Sequence, residues 1–431
     1  MMRKLFVALL VGAVAVGMTA PAFAADLQFT GAYRVRFQFD NALPCFDRTP
    51  DDPAVAGTEC DGHDFQTRFR PRFTVETDGG VRGVLWLEIG DVRFGDIPSG
   101  GDAGADGTNV ETKWAYIDFP LPATPIRLRA GIQDIFTSKA LVIDEDFSGL
   151  SLYGKLGEIN AKGWWVRGNT TVSVDSQGKG ARDLWGIDLN VSPMKDLNLN
   201  VYLMYDHDME STVAGKAATG VWVGAAAAGK LQNIRWDLDF VYGSKETTVV
   251  GVDKVGYGVD GGIGTSLPGT PLDLEFRGWF FTGDEGNGGD NEGFPVPIEG
   301  SGGHEPGTQV WGGGGVIDID SPADSPENTW GFGVIARWTA TPALRLTGNV
   351  HYIGTVETGT AASPSRVGDT GGLFGVDAVG TEVGVRADYT IHRGLVFTLT
   401  VGHLFLGDDT SESGVSFDDV TKVAGVLNYG F

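Results

Sequence analysis

Seven arginines recur at every second position in three parts of the chain: Arg34 and Arg36; Arg68, Arg70 and Arg72; Arg127 and Arg129. Guanidinium groups are always charged and bind carboxylates and phosphates, so a row of them can attract and steer anions. In residues 64–77 (DFQTRFRPRFTVET) the positions between the arginines hold Phe and Pro. A period of two places the cations on one face of a β-strand and the apolar residues on the other.

A second charged group follows the last arginine pair. The segment AGIQDIFTSKALVIDEDFSGL (residues 130–150) is unusually apolar for a surface connection and carries Asp144, Glu145 and Asp146. If this segment folds inward, its acids can face the arginines across a narrow opening, and clusters of opposite charge select ions in pores. The alternative is that the three acids are solvated at a rim.

Alternating strands are the elements that must position these charges. In residues 26–40 the odd positions are almost all apolar, whereas the even positions are polar and include Arg34 and Arg36. The same alternation returns in residues 64–77, 197–205, 233–242, 272–280, 344–352 and 395–403. Segments of about ten alternating residues are typical of strands that cross a bilayer.

Connections between these segments alternate between short and long, which favours a barrel. Eight short turns predict 18 strands, and 16 remain possible if one weak pair, such as residues 148–155 with 163–169, is misassigned. A soluble β-sandwich also alternates, but it rarely shows short and long connections in succession. We therefore predict an all-β fold, a transmembrane antiparallel β-barrel with short periplasmic turns and long extracellular loops.

The N-terminus predicts export. Arg3 and Lys4 precede the apolar run LFVALLVGAVAVGM, and an A-x-A site precedes Ala25. This pattern predicts a signal peptide over residues 1–24 and a barrel domain over residues 25–431; a retained signal anchor is the alternative. No later apolar segment approaches the roughly 18 to 20 residues that a membrane helix needs.

Composition and charge exclude several classes. With 66 Gly and 19 Pro the chain is rich in turn formers, yet 42% of it is hydrophobic, so it is neither collagen-like nor disordered. The net charge of −24, or −26 without Arg3 and Lys4, argues against a nucleic-acid partner. Cys45 and Cys60 share one polar segment of an exported chain, which predicts a disulfide; two cysteines are too few for a metal site.

The two faces of a closed barrel meet different surroundings. Arginine at the bilayer midplane costs roughly 2 to 4 kcal/mol, so the apolar face must contact lipid and the arginines must line water. The arginines predict weak anion selectivity, whereas the net acidic charge favours cations near the mouth. Charges at the narrowest point should dominate, because fields beyond about 8 Å are screened at physiological salt.

Three motifs, in this order, resemble the outer membrane homotrimeric porins of Gram-negative bacteria: LEIGD (residues 87–91), KWAYIDF (113–119) and RAGIQ (129–133). The resemblance implies a homotrimer in outer-membrane lipid and lipopolysaccharide, passive diffusion of ions and small hydrophilic solutes, and a third loop folded into the pore. The seven arginines would then oppose Asp144, Glu145 and Asp146, although IDEDF departs from the motif of the best-known general porins.

The C-terminal strand VTKVAGVLNYGF also carries this resemblance. Its Tyr429 and Phe431 are similar to the terminal aromatic signal through which the barrel assembly machinery recognises outer-membrane barrels. The resemblance therefore implies localisation in the outer membrane.

Other chemistries are poorly supported by the sequence. GNGGDNEG (residues 286–293) resembles a calcium loop but occurs once, without the tandem array such loops need. Six scattered histidines form no H-x-x-x-H pattern, and no nucleophile elbow surrounds a serine, so we expect no enzyme, cofactor or metal. Two alternatives to a diffusion pore stay open: a specific channel for an anionic solute, and a barrel whose long loops serve as an adhesin or receptor.

Overall fold

The computed structural model describes residues 25–41, 62–95, 101, 109–168, 182–213, 216–246, 253–286, 291–297, 304, 306–312, 326–360, 363–364, 378–407, 411–412, 415–416 and 419–431. The predicted signal peptide (residues 1–24) and the predicted Cys45–Cys60 disulfide lie outside these residues, as does half of the GNGGDNEG segment, residues 287–290.

Eighteen long strands make up the described structure. They are β1 (Ala25–Asp40), β2 (Gly62–Thr77), β3 (Arg82–Arg93), β4 (Val110–Pro120), β5 (Ile126–Phe136), β6 (Asp144–Leu156), β7 (Ile159–Gly168), β8 (Arg182–Met194), β9 (Leu197–Val213), β10 (Lys216–Leu231), β11 (Ile234–Glu246), β12 (Asp253–Ser266), β13 (Leu272–Phe281), β14 (Thr329–Thr341), β15 (Leu344–Thr355), β16 (Ala378–His392), β17 (Leu395–Leu406) and β18 (Val420–Gly430). Two-residue hairpins join Gly359–Thr360 with Ser363–Pro364 and Ser411–Glu412 with Val415–Ser416, and one 3₁₀ turn covers Ser138–Ala140.

The sheet closes on itself. Each strand pairs antiparallel with its chain neighbours, and β1 also pairs with β18, with Tyr33 opposite Tyr429. At the seam Gly31 and Phe431 exchange two backbone hydrogen bonds of 3.0 and 3.1 Å. A closed sheet leaves no unpaired edge, which a bilayer requires. The predicted antiparallel barrel is confirmed, with 18 strands rather than 16.

The eight predicted tight turns all lie at one end of the barrel. They span residues 78–81, 121–125, 157–158, 195–196, 232–233, 267–271, 342–343 and 393–394. Gly80 and Gly157 have φ of +72° and +63°, which a residue with a side chain adopts only with strain. Most connections at the opposite end are longer, except that only residues 214–215 join β9 to β10.

The polarity of the barrel is the reverse of that of a soluble protein. Large apolar side chains such as Leu27, Ile187 and Ile263 are 51 to 66% exposed on the outer surface. Charged side chains such as Arg36 and Asp260 face inward and are 1% exposed. An apolar band outside a polar interior is typical of transmembrane barrels. Among the described residues no helix is long and apolar enough to cross a membrane.

Part of the interior is filled by an apolar core. Inward-facing side chains of the wall, including Leu184, Met204 and Trp222, pack in one cluster with Leu141 and Trp311 from two inter-strand connections. The core therefore lies inside the barrel and holds connecting segments against the wall.

Candidate pore constriction

The connection between β5 and β6, residues 137–143, folds into the barrel; we call it the first inward segment. Leu141, Val142 and Ile143 are at most 1% exposed. The Thr137 hydroxyl accepts hydrogen bonds from the backbone N–H groups of Val142 and Ile143 at 3.2 and 3.3 Å, which holds the segment in a tight turn. The apolar character that the sequence showed here thus corresponds to burial inside the barrel.

Lys139 links the first inward segment to a distant part of the barrel wall. Its ammonium forms ion pairs with Asp237, Asp239 (2.7 Å) and Asp260, and the hydroxyl of Ser138 donates a hydrogen bond to Asp239. The three aspartates lie on β11 and β12, six strands from β5 and β6 and a third of the way around the barrel. Burial alone would lower the pKa of Lys139, but the three carboxylates outweigh burial and raise it, so Lys139 stays protonated.

Residues 306–312 form a second inward segment, which is anchored by a carboxylate. The fully buried side chain of Glu382 on β16 accepts hydrogen bonds from the backbone N–H groups of Gln309, Val310 and Trp311, at 2.5, 3.1 and 2.8 Å. Asn349 on β15 donates a fourth at 2.9 Å. Four hydrogen bonds to one buried side chain fix the segment to the β15–β16 wall.

His304 precedes the second inward segment and contacts the same aspartate as Lys139. Its Nε2 lies 3.0 Å from the Oδ2 atom of Asp260, and its ring packs edge-on against Trp279 and Phe281. Arg277 binds the other oxygen of Asp260 at 2.5 Å. Asp260 is therefore the point where a lysine and a histidine from two connections meet an arginine from the wall. We call the following residues the Asp260 cluster: Lys139, Asp237, Asp239, Asp260, Arg277 and His304.

Three carboxylates of this cluster have the spacing of a metal site. One oxygen each of Asp237, Asp239 and Asp260 lies within 4.8 Å of the others. The ammonium of Lys139 contacts all three, so the chain itself supplies the cation that balances them.

Two cavities continue the constriction along the β11–β15 wall. The first, of about 490 Å³, lies between the inward segments and is lined by Lys139, Asp260, Arg277 and His304 among others. The second, of about 650 Å³, reaches the short turn at residues 267–271. Both are lined by Glu275 and Arg337, which pair at 2.7 Å. The two cavities are therefore neighbours with a shared charged lining, and together they extend from the constriction toward the short-turn end.

The arginines of β1 and β2 lie together on the lumen wall, and they have acidic partners beside them. Arg34 pairs with Asp91 at 2.8 Å, Arg68 lies 3.6 Å from Asp91, and Arg70 pairs with Glu88. Both acids lie on the neighbouring strand β3. The charge of this wall is thus partly neutralised within the wall itself.

The other predicted arginines divide into separate environments. Arg36 is buried and donates a hydrogen bond to Gln66. Arg72 lies over the indole rings of Trp114 and Trp86, at 5.0 and 5.9 Å from the ring centres. Arg127 and Arg129 converge on Asp118 at 2.5 and 3.3 Å. The structure therefore shows two paired groups, one on β1–β3 and one on β4–β5, in place of a continuous cationic strip.

The three acids expected in an inward loop lie elsewhere. They are Asp144, Glu145 and Asp146, the first residues of β6, because only residues 137–143 separate β5 from β6. Asp146 pairs with Lys113 at 2.6 Å and accepts a hydrogen bond from Trp114 at 2.7 Å. Of the three, Asp144 lines the cavity of the constriction. The segment that folds inward is the predicted one, but its charged residue that reaches the far wall is a lysine and not an acid.

The sequence analysis did not identify the Asp260 cluster, although some of its residues stand at alternating positions of predicted strands. Asp237 and Asp239 occupy alternate positions of a strand that the alternation had identified, and so do Glu275 and Arg277. Reading the inward face of those strands would have placed these charges in the lumen. The contact between Lys139 and β11 could not be predicted from the sequence, because it joins residues about 100 positions apart.

The C-terminal aromatic residues lie at the seam of the barrel. The ring of Phe431 packs against Phe29 on β1 and Tyr429 on β18, with centres 5.3 and 5.8 Å apart. The terminal residue thus closes the outer surface where the first and last strands pair.

Comparison with known proteins supports the architecture. No family model matches the sequence, and no curated protein matches it. Among solved structures, the outer membrane protein opdK from Pseudomonas aeruginosa aligns with a TM-score of 0.58 and 9% identity over 94% of this chain and 98% of that one. OccK3 (OpdO) and OccK8 (OprE) from the same organism align with TM-scores of 0.55 and 11% identity, over 94% of this chain and 96 and 98% of theirs. These similarities show a shared fold, whereas membership of the homotrimeric porins is not confirmed.

Proposed function

We propose that this protein is an outer-membrane porin that lets ions and small hydrophilic solutes diffuse through a water-filled channel. The observation that carries the proposal is the closed barrel with an apolar outer surface and a charged interior path. A polar path along the axis of a lipid-embedded barrel serves solute passage, and charges at its narrowest point set selectivity. The proposal includes export through the N-terminal signal peptide and no enzymatic activity.

The proposal extends to assembly. The exposed rings of Phe29, Phe73 and Phe431 present an apolar outer surface beside the seam, where lipid, lipopolysaccharide or a second subunit would be in contact. We propose a homotrimer, with Tyr429 and Phe431 as the signal for the barrel assembly machinery. The similar folds of outer-membrane proteins support the location and leave the trimer as a prediction.

A specific channel for an anionic solute is the second candidate. It is favoured by the two inward segments, which are fixed by buried contacts and so narrow the path to a defined shape. It is also favoured by Arg235, Arg277 and Arg337, which lie along that path. A shaped and charged passage discriminates among solutes better than an open pore does.

Planar-bilayer recording of the refolded mature protein tests the proposal. We expect stepwise ohmic currents that close in threes, and the reversal potential in a KCl gradient gives the ion preference. A preparation denatured by heat is the control for contaminating channels. A folded, heat-modifiable barrel without conductance would overturn the channel and favour the adhesin or receptor alternative. A saturable block by one class of anions would favour the specific channel.

A further inference from the structure

We propose that a third cavity, on the wall formed by β5 to β8, binds small anions of the phosphate class. The inference rests on the proposed channel function only for the route by which the ligand arrives. The cavity has a volume of about 320 Å³ and lies on the inner surface. Its charged lining residues are Arg129, Lys155, Lys162 and Asp188. Arg129 pairs with Asp118 and Asp134, and Lys155 pairs with Glu158 at 3.6 Å, which leaves Lys162 as the third cation of the lining.

The charge balance of this cavity differs from that of the constriction. In the 490 Å³ cavity, Lys139, Arg277 and Arg337 are matched by three carboxylates and all engage them in ion pairs. A solute that entered there would have to displace an existing partner. In the third cavity a positive charge is left for a ligand.

Lys162 is that positive charge. In the described part of the chain its ammonium forms no ion pair, and its nitrogen lies 5.8 Å from the centre of the Phe136 ring. Asp188 is its register partner on β8, but both oxygens of Asp188 accept hydrogen bonds from Asn200 at 3.0 Å. The carboxylate opposite Lys162 is therefore already engaged by Asn200, and Asp134 on β5 is engaged by Arg129 at 3.5 Å.

Two amides extend the donor set beside Lys162. Asn160 and Asn190 are register partners on β7 and β8 and line the same cavity. Their side chains make no hydrogen bond within the residues that the structure describes, so their NH₂ groups are available. Tyr153 lies opposite Lys162 on β6 and completes one polar surface across three adjacent strands.

The donor types favour phosphate over carboxylate. The planar fork of an arginine binds a carboxylate or a phosphate through two parallel hydrogen bonds, but Arg129 already contacts Asp118 at 3.3 Å and Asp134 at 3.5 Å. An ammonium binds as a point charge and serves the several oxygens of a phosphate equally well. The volume is at the lower end of small-molecule sites, so a phosphate ester of a small solute also fits.

Isothermal titration calorimetry with inorganic phosphate tests the site directly. The refolded protein is held in nonionic detergent and phosphate-free buffer, and heat-modifiability confirms that each variant folds. We expect saturable binding that Lys162→Met weakens by at least about tenfold, because a charge-assisted hydrogen bond is lost. Lys162→Arg should retain most of the affinity. Lys195→Met removes an exposed lysine in the β8–β9 turn, outside the cavity, and should leave binding unchanged.

The outcomes separate this inference from the proposed function. Absence of phosphate binding, or equal loss in Lys162→Met and Lys195→Met, would overturn the site even if the protein conducts. Acetate binding as tight as phosphate would overturn the assignment to phosphate. Binding that depends on Lys162 in a protein without conductance would support the site and contradict the channel.

Discussion

Two charged regions of the lumen are built from the same residue types and differ in where the partners come from. In the β1–β3 group, Arg34, Arg68 and Arg70 pair with acids of β3, one or two strands away, so each ion pair stays within the wall. In the Asp260 cluster, Lys139 comes from a connection a third of the barrel away. The first arrangement sets the local field, whereas the second also fixes the shape of the passage.

Exposure separates the two regions further. In the Asp260 cluster the side chains of Asp239 and Asp260 are 5% and 1% exposed and that of Asp237 is 28% exposed, whereas Glu88 and Asp91 of the β1–β3 group are 9% and 28% exposed. Exposed ion pairs contribute about 0 to 1 kcal/mol, but removing one partner of a buried pair costs roughly 3 to 5 kcal/mol. Substitutions in the Asp260 cluster should therefore have larger effects than matched substitutions in the β1–β3 group.

The largest effect is expected from Lys139→Met. It removes the cation that crosses the lumen and leaves three carboxylates, two of them buried, within 4.8 Å of one another. The reversal potential in a KCl gradient should shift strongly toward cation selectivity. The three carboxylates should also become a site at which roughly millimolar Ca²⁺ reduces the current.

Lys139→Arg is the control for this substitution, because it keeps the charge and should keep the selectivity of the original protein. Leu141, Val142 and Ile143 remain buried in both variants, so the first inward segment should stay docked. An unchanged reversal potential in Lys139→Met would mean that the Asp260 cluster does not lie on the ion path.

Asp260→Asn should have an intermediate effect. It removes the carboxylate shared by Lys139, Arg277 and His304, but Lys139 keeps Asp237 and Asp239 as partners. Both inward segments should therefore loosen without being released. We expect noisier open-channel current with a modest change in mean conductance.

Asp273→Asn is the matched control. Asp273 pairs with Arg235 and Arg337 of its own wall, so the same chemical change there should leave the current noise as it was. Equal noise in the two variants would contradict the view that contacts across the lumen fix the passage.

The fold was predictable from the sequence because lipid imposes a simple rule on each strand. Apolar and polar residues alternate with a period of two, and the eight short turns mark one end of the barrel, so strand number and closure follow from a count. The structure confirms both. Strand ends were less predictable: β5 extends to Phe136 and β6 begins at Asp144, where an apolar run suggested a longer loop.

The constriction was only half predictable. The inward position of the arginines follows from the alternation, and the apolar run predicts the first inward segment. Which acid meets which cation depends on contacts between distant parts of the chain, such as Lys139 with Asp260 and Glu382 with Gln309. These contacts depend on how deeply a connection enters the lumen, which no local pattern encodes.

The smallest effect is expected from the combined substitution of Arg68, Arg70 and Arg72 by Ser. Glu88 and Asp91 lose cationic partners, so the reversal potential should shift toward cations, by less than in Lys139→Met. Folding and heat-modifiability should persist, because these pairs are partly exposed. The shift should shrink from 0.1 to 1 M KCl, where the Debye length falls from about 10 to 3 Å.

The corresponding triple Lys variant keeps the charge and should show no shift. A shift as large as that of Lys139→Met would place the narrowest point of the ion path beside β1–β3, away from the Asp260 cluster.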